Sequence, residues 1–232
     1  MTPQVRDVLD EILAGQDRLG ELVEGLTDEA VREPSALPGW SRAHVLSHLE
    51  GIGRALARQA RHAVRGELVE VYDGGRPARD AGIEAGAVRS AAELRDAVRV
   101  ALAEAHAAWT AVGPDDWSRP VRYRDGELRG ALLCWWRELE IHTADALLGR
   151  GPGDWSRALC GHILDFLTPR APEGGLALRV TDGPESRVYG DGDPAAAVDG
   201  RLADLAAWFA GRTPRQPVTA VNGPLPELGP WP

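Results

Sequence analysis

Two residue types that carry common enzyme chemistry are absent or scarce in this sequence. All 26 basic residues are arginine, so lysine is absent. Without lysine, Schiff-base catalysis by a side-chain amine is excluded, and arginine is the only fixed cation that can bind a carboxylate. The two cysteines, Cys134 and Cys160, are too few for a disulfide scaffold or an all-cysteine zinc site. Any thiol chemistry is therefore expected to use the thiol of a cofactor.

Long apolar runs and excess positive charge are missing as well. No segment approaches the roughly 18–20 apolar residues that a membrane-spanning helix needs. Residues 1–7 are polar and show no apolar core of a signal peptide. The formal net charge is −9, whereas nucleic acid binding requires a basic face. We therefore expect a cytoplasmic protein that binds neither nucleic acid nor membrane.

What the sequence does contain is typical of a globular protein. Its 232 residues are 44% hydrophobic and 26% charged, which is enough apolar material for a substantial core. A chain of this length forms one large domain or two modest ones.

Four segments carry apolar residues at the spacing of long amphipathic helices. They cover approximately residues 4–26, 41–64, 90–109 and 130–148. Ser90 and Glu93 form a capping-box pattern at the start of the third segment. A shorter fifth helix is expected after Asp154 or Ser156 and before Pro169. Four long helices joined by loops are typical of an antiparallel bundle.

The pattern changes after residues 168–175, a stretch rich in proline and glycine that we interpret as a linker. Alternating apolar residues, turn residues and one short helical pattern follow it. The predicted elements are strands at 176–181, 186–189 and 218–221 and a helix at 202–209 that Gly211 closes. The predicted fold class is α+β, with a helical domain of residues 1–167 followed by a small α/β domain of residues 168–232.

The second predicted helix, for which Ser41 is a favourable N-cap, contains a histidine within its apolar stripe. His48 lies three residues after Val45 and four before Ile52, so it shares the face that we expect to be buried. The stripe consists of Val45, Leu49, Ile52 and Leu56. Because an interior histidine is more often a hydrogen-bonded core residue than a metal ligand, this helix alone does not decide the role of His48.

The fourth predicted helix places a carboxylate and an imidazole on one face. Glu138 and His142 are four residues apart, and Trp135 and Leu139 flank them, which favours an inward orientation. Such a pair is also common as a hydrogen-bonded surface pair. A buried carboxylate, however, needs a partner or a metal ion. Together with His48, the pair would give a divalent ion three ligands and leave a coordination position open, as in catalytic zinc and non-haem iron sites.

Four neighbouring residues are weaker candidates for a role in the site. Asp145 is placed to accept the imidazole N–H of His142 and so fix the tautomer of that histidine. His44, four residues before His48, is the second choice as a ligand, because it lies at the margin of the apolar stripe. Cys134 is interpreted as a buried filler rather than a redox or ligand residue. Trp40 lies where it could cover the pocket.

Two stretches of the sequence resemble motifs of a known family. Residues 37–49, Leu-Pro-Gly-Trp-Ser-Arg-Ala-His-Val-Leu-Ser-His-Leu, resemble the opening motif of the mycothiol-dependent maleylpyruvate isomerase family. Residues 137–145, Arg-Glu-Leu-Glu-Ile-His-Thr-Ala-Asp, resemble its second motif. That family belongs to the DinB-like superfamily of four-helix-bundle metalloproteins and adds a small α/β C-terminal domain. The resemblance implies that His48, Glu138 and His142 bind a divalent metal, with zinc the expected ion.

The resemblance continues near the C-terminus. Residues 204–212, Asp-Leu-Ala-Ala-Trp-Phe-Ala-Gly-Arg, look like the closing helix of that family, which ends in Gly-Arg. The arginine of that motif is thought to reach the active site, which implies a catalytic role for Arg212. The family name also covers actinobacterial relatives with other substrates, so the resemblance implies the site more directly than the substrate.

The implied activity is a metal- and mycothiol-dependent cis–trans isomerisation of maleylpyruvate to fumarylpyruvate. A divalent metal would deprotonate the mycothiol thiol, and the thiolate would add to the cis double bond and leave after rotation. Arg212 would hold a substrate carboxylate. Two alternatives stay open. One is a mycothiol S-transferase that acts on another small-molecule electrophile, and the other is a non-catalytic metal-binding bundle.

Overall fold

The computed structural model describes residues 4–232 and divides the chain into two compact units, with the division between Gly149 and Arg150. The sequence pattern places this division between residues 167 and 168, at the proline- and glycine-rich stretch. In the structure the helix Arg157–Phe166 packs within the second unit, against the helix Leu202–Phe209. The stretch 168–175 therefore connects two elements of the same unit.

The first unit is a helical bundle. Its helices are α1 (Val5–Glu24), α2 (Asp28–Arg32), α3 (Arg42–Ala63), α4 (Gly75–Ala87), α5 (Ala91–Thr110) and α6 (Leu128–Asp145). The four long helices α1, α3, α5 and α6 are those that the apolar spacing predicts. α3 packs against α4, α5 and α6, and α1 packs against α5 and α6. The mostly helical chain with one small sheet confirms the predicted α+β class.

Local sequence signals explain where α5 begins and which face of α3 is buried. Ser90 and Glu93 form the predicted capping box at the start of α5, with the backbone N–H of Ser90 donating to Glu93 over 2.8 Å. In α3 all four members of the predicted stripe are buried, and Val45 and Leu56 are fully inaccessible. Burial of that stripe turns the adjoining His48 toward the interior of the bundle.

Helix α4 was not predicted from the sequence. It contains Pro77 and three glycines, which are poor helix formers, and only Ile83, Gly86 and Ala87 of its residues are buried. Its packing on α3 stabilises it instead. A Cβ atom added at Gly86 would lie only 2.7 Å from Cβ of Ser47, so the absence of a side chain allows the two helices to approach closely.

The second unit contains a four-stranded sheet and two helices. Its elements are α7 (Arg157–Phe166), β1 (Leu176–Val180), β2 (Ser186–Tyr189), β3 (Ala196–Gly200), α8 (Leu202–Phe209) and β4 (Thr219–Ala220). The strand order is β2-β1-β3-β4, with β1 antiparallel to β2 and parallel to β3. β1 and β2 lie where the sequence predicts strands, and they pair as a hairpin. Strand β3, rich in alanine, was not predicted, because alanine has a low strand propensity.

None of the helices formed by residues 4–232 combines the length and the apolar character that crossing a bilayer requires.

Candidate metal centre

The structure brings together the three side chains that the sequence singled out. Nε2 of His48 lies 2.8 Å from Oε2 of Glu138, and Nε2 of His142 lies 3.3 Å from the same oxygen. One nitrogen or oxygen atom from each of the three residues lies within 4.8 Å of those of the other two. The two imidazole rings meet edge to face, with centroids 4.6 Å apart. We call these three residues the triad.

Two packed helices position the triad. His48 is 4% exposed and belongs to the buried face of α3. Glu138 and His142 lie one turn apart on α6, which packs directly on α3. The helices come close where Gly53 of α3 meets the indole of Trp135, because a Cβ at Gly53 would be 3.1 Å from that ring. The inward orientation of the α6 pair thus follows from the burial of its apolar neighbours.

Charge within the triad is arranged around one carboxylate. Burial alone would raise the pKa of Glu138, but hydrogen bonds with His142 and His48 outweigh it and hold that pKa well below its usual range. Burial disfavours the charged form of His142, yet its hydrogen bonds with Asp145 and Glu138 raise its pKa to about 9. Burial lowers the pKa of His48. The triad therefore accommodates a positive charge beside the Glu138 carboxylate.

The two histidines differ in the group that contacts Nδ1, the ring nitrogen that does not contact Glu138. Nδ1 of His142 lies 2.9 Å from Oδ2 of Asp145, which is 1% exposed. This contact is the one that the sequence predicts for Asp145, and it leaves Nε2 of His142 facing Glu138. Nδ1 of His48 instead lies 3.3 Å from Nη2 of Arg79 on α4. One imidazole thus has a carboxylate behind it, and the other has a guanidinium.

The weaker candidates have other surroundings. Nδ1 of His44 lies at the start of α3, 3.2 Å from the backbone N–H of Ser41, so this histidine caps the helix. Within residues 4–232 the group of converging ligand atoms does not include it. The Trp40 ring lies 5.8 Å from the His48 ring, where it covers one side of the triad. Cys134 is buried, and burial raises the pKa of its thiol to about 12.

A cavity of about 640 Å³ opens beside His48. It lies between α3 and α4 and is within the usual size range of small-molecule sites, about 300–1,000 Å³. Tyr72 and Arg79 line it, and neither was identified from the sequence. Both belong to the segment that the sequence pattern left without a predicted element, so no periodicity marked them. For Arg79 the sequence offers only a general signal, the abundance of arginine, and it offers none for Tyr72.

Comparison with protein families identifies the chain. The model of the mycothiol maleylpyruvate isomerase N-terminal domain matches residues 12–147, and that of the MDMPI C-terminal domain matches residues 154–230. The chain belongs to the mycothiol maleylpyruvate isomerase family. In this family member the triad lies within the N-terminal domain match, and Arg212 lies within the C-terminal one. None of the curated proteins compared with the chain matches it.

Two solved structures of that name share the fold. The crystal structure of the mycothiol-dependent maleylpyruvate isomerase superposes with a TM-score of 0.87 at 24% sequence identity, over 99% of this chain and 98% of the other. A histidine-to-alanine mutant of that isomerase superposes with a TM-score of 0.85 at 24% identity, over the same shares of the two chains. At this identity the likeness establishes the fold of this family member.

Arg212, the other residue implied by the resemblance, lies in the second unit just after Gly211. Its Nη1 donates a hydrogen bond to the carbonyl oxygen of Ala210 over 2.9 Å, and its guanidinium lies 5.5 Å from the centre of the Trp231 ring. These contacts anchor the side chain locally. A catalytic role for Arg212 stays a prediction.

Proposed function

We propose that this chain is a cytoplasmic, metal- and mycothiol-dependent isomerase that converts maleylpyruvate to fumarylpyruvate. Its membership of the mycothiol maleylpyruvate isomerase family supports the proposal. The observation that carries it is the convergence of His48, Glu138 and His142 beside a cavity large enough for a small molecule.

The donor set of the triad fits a divalent metal ion. Two imidazoles and one carboxylate are the ligands of catalytic zinc sites that keep a position open. Asp145 orients the His142 ring so that Nε2 faces Glu138, which suits this histidine to metal ligation. We propose zinc, held by His48, Glu138 and His142. When bound, such an ion acts as a Lewis acid that lowers the pKa of a thiol.

The chain itself does not offer a suitable thiol. The pKa of Cys134 is raised to about 12, and Cys160 is buried. Since the thiolate is the nucleophile, a buried thiol that stays protonated is inert. Mycothiol would therefore supply the sulfur, whose reversible addition to the double bond permits rotation. This division of labour explains why a thiol-dependent reaction needs no exposed cysteine in the protein.

The remaining roles belong to residues around the triad. Asp145 orients His142, and Trp40 shields one side of His48 from water. Arginine side chains on the cavity wall attract an anionic electrophile. Through these contacts the chain positions the reactants beside the triad.

Activity with each component removed tests the proposal. The zinc-loaded protein should isomerise maleylpyruvate only when mycothiol is present, and chelation should abolish turnover until zinc is returned. Mass spectrometry of the product should show the mass of the substrate. A product heavier by one mycothiol would identify an S-transferase instead. Full turnover without metal and mycothiol would refute the mechanism, and a zinc-free native protein would favour a non-catalytic bundle.

A further inference from the structure

The cavity beside the triad has a charge opposite to that of the whole chain. Its wall contains five arginines and three acidic residues, although the chain has a formal net charge of −9. The arginines are Arg54, Arg58, Arg61, Arg79 and Arg89, and the acids are Glu50, Asp73 and Glu104. A concave surface with locally positive charge concentrates anions. The cavity is therefore suited to a negatively charged ligand.

Several of these arginines are already neutralised by carboxylates of the same wall. Arg54 pairs with Glu50 over 2.9 Å, and Arg58 pairs with Asp73 over 2.8 Å. Arg89 also contacts Glu50. Arg79 pairs with its chain neighbour Asp80, whose side chain is 57% exposed. An ion pair with so exposed a partner contributes little, so its loss costs Arg79 little when a ligand binds.

Arg79 is also in contact with the triad. Its Nη2 lies 3.3 Å from Nδ1 of His48, which places its guanidinium at the point where the cavity meets the proposed metal ligands. A guanidinium only donates hydrogen bonds, so Nδ1 of His48 must accept in this arrangement. The contact therefore depends on an unprotonated Nδ1.

Binding of a metal ion by Nε2 of His48 would remove the contact between Nδ1 of His48 and Arg79. A neutral imidazole that uses Nε2 as a ligand carries its proton on Nδ1, where it needs an acceptor. His142 has that acceptor in Asp145, but Arg79 offers His48 only donors. Arg79 is therefore unsuited to orienting a metal ligand. Nη2 of Arg79 would lose its acceptor on His48 while Nη1 keeps its contact with Asp80. A carboxylate is the acceptor that a guanidinium binds best, through two parallel hydrogen bonds.

We propose that Arg79 binds a carboxylate of the electrophile beside His48 and so selects anionic substrates. This inference rests on the proposed function, since it assigns a residue to the electrophile of that reaction. It places a substrate-binding cation in the helical unit itself, on the helix that the sequence did not predict. The role requires a guanidinium, because an ammonium group makes no paired contact of this geometry.

Binding of maleate to the zinc-loaded protein tests the role of Arg79 without relying on turnover. Isothermal titration calorimetry should show that Arg79→Gln weakens maleate binding by about 10- to 100-fold, the effect of losing a charged hydrogen bond. Arg79→Lys should recover only part of the affinity. The matched control is Arg76→Gln, which changes an exposed arginine on the same helix and should alter the affinity less than about twofold.

Zinc content and circular dichroism should be the same in all four proteins, which separates ligand binding from metal loss and misfolding. An Arg79→Gln variant that binds maleate as the wild type does would overturn the proposal. So would a wild type that binds no maleate, or an equal loss in the Arg76→Gln control.

Steady-state kinetics separate this inference from the proposed function. If the wild type is an isomerase, Arg79→Gln should raise KM for maleylpyruvate by at least about tenfold and leave KM for mycothiol within about threefold. An unchanged KM for maleylpyruvate would overturn the role of Arg79 and leave the isomerase intact. A wild type with no isomerase activity whose maleate binding still depends on Arg79 would refute the proposed function alone.

Discussion

Nε2 of His48 and Oε2 of Glu138 lie 2.8 Å apart although 90 residues separate them in the chain. Both side chains come from helices whose apolar faces are buried in one core. The distance shows that packing of α3 on α6 creates the triad, and that neither helix could form it alone.

Removing the charge of Glu138 should empty the proposed metal centre. Glu138→Gln keeps the side-chain volume but replaces a carboxylate ligand by a much weaker amide, so we expect zinc affinity to fall at least about 100-fold, above the 10–100-fold typical of outer residues. Metal analysis after dialysis against a weak chelator measures this. The matched control is Glu140→Gln on the same helix, whose carboxylate pairs with Arg18 of α1. Equal zinc retention by both variants would contradict the ligand assignment.

Adding one methyl group at Gly86 should disturb α4 and the cavity. The new Cβ would meet Cβ of Ser47 at 2.7 Å, so Gly86→Ala should destabilise the protein by about 1–3 kcal/mol through overpacking. Gly82→Ala on the same helix meets nothing within 4 Å and should be neutral or stabilising by up to about 1 kcal/mol. Urea unfolding measures both. Identical stability of the two variants would show that α4 does not need the close approach.

The thiol of Cys134 should be unreactive in the folded enzyme. Burial raises the pKa of its thiol to about 12, so the thiol stays protonated at pH 8 and should not react with a disulfide reagent until the protein unfolds. Cys134→Ala should keep mycothiol-dependent turnover within about threefold of the wild type. Rapid labelling of native Cys134, or loss of turnover in a variant that remains folded and zinc-loaded, would reopen a catalytic role for this cysteine.

Arg212 should matter for turnover and not for metal binding. If the role implied by the resemblance holds, Arg212→Gln should lower kcat/KM for maleylpyruvate by about 100-fold, the order expected for a lost charged contact in the transition state, with zinc content unchanged. Because the side chain also contacts Trp231, the melting temperature must be measured alongside. Arg215→Gln, three residues further along, is the control and should remain active. A fully active Arg212→Gln enzyme would refute the catalytic assignment.

The sequence by itself determined the parts of this protein that depend on local patterns. The periodicity of apolar residues predicted the four long helices, and Ser90 with Glu93 marked the start of α5. The four-residue spacing of Glu138 and His142 was enough to place both on one face of a helix. These features are encoded within a few residues, because helix geometry repeats every 3.6 residues.

Only the tertiary structure decided which segments meet. Helix α4 contains glycine and proline and is held by its packing on α3, so its own residues gave no helical signal. The position of Arg79 against His48 follows from that packing, as does the cavity between the two helices. The parallel pairing of β1 with β3 joins strands separated along the chain. Contacts of this kind depend on the burial of surfaces distant in sequence, which no local pattern specifies.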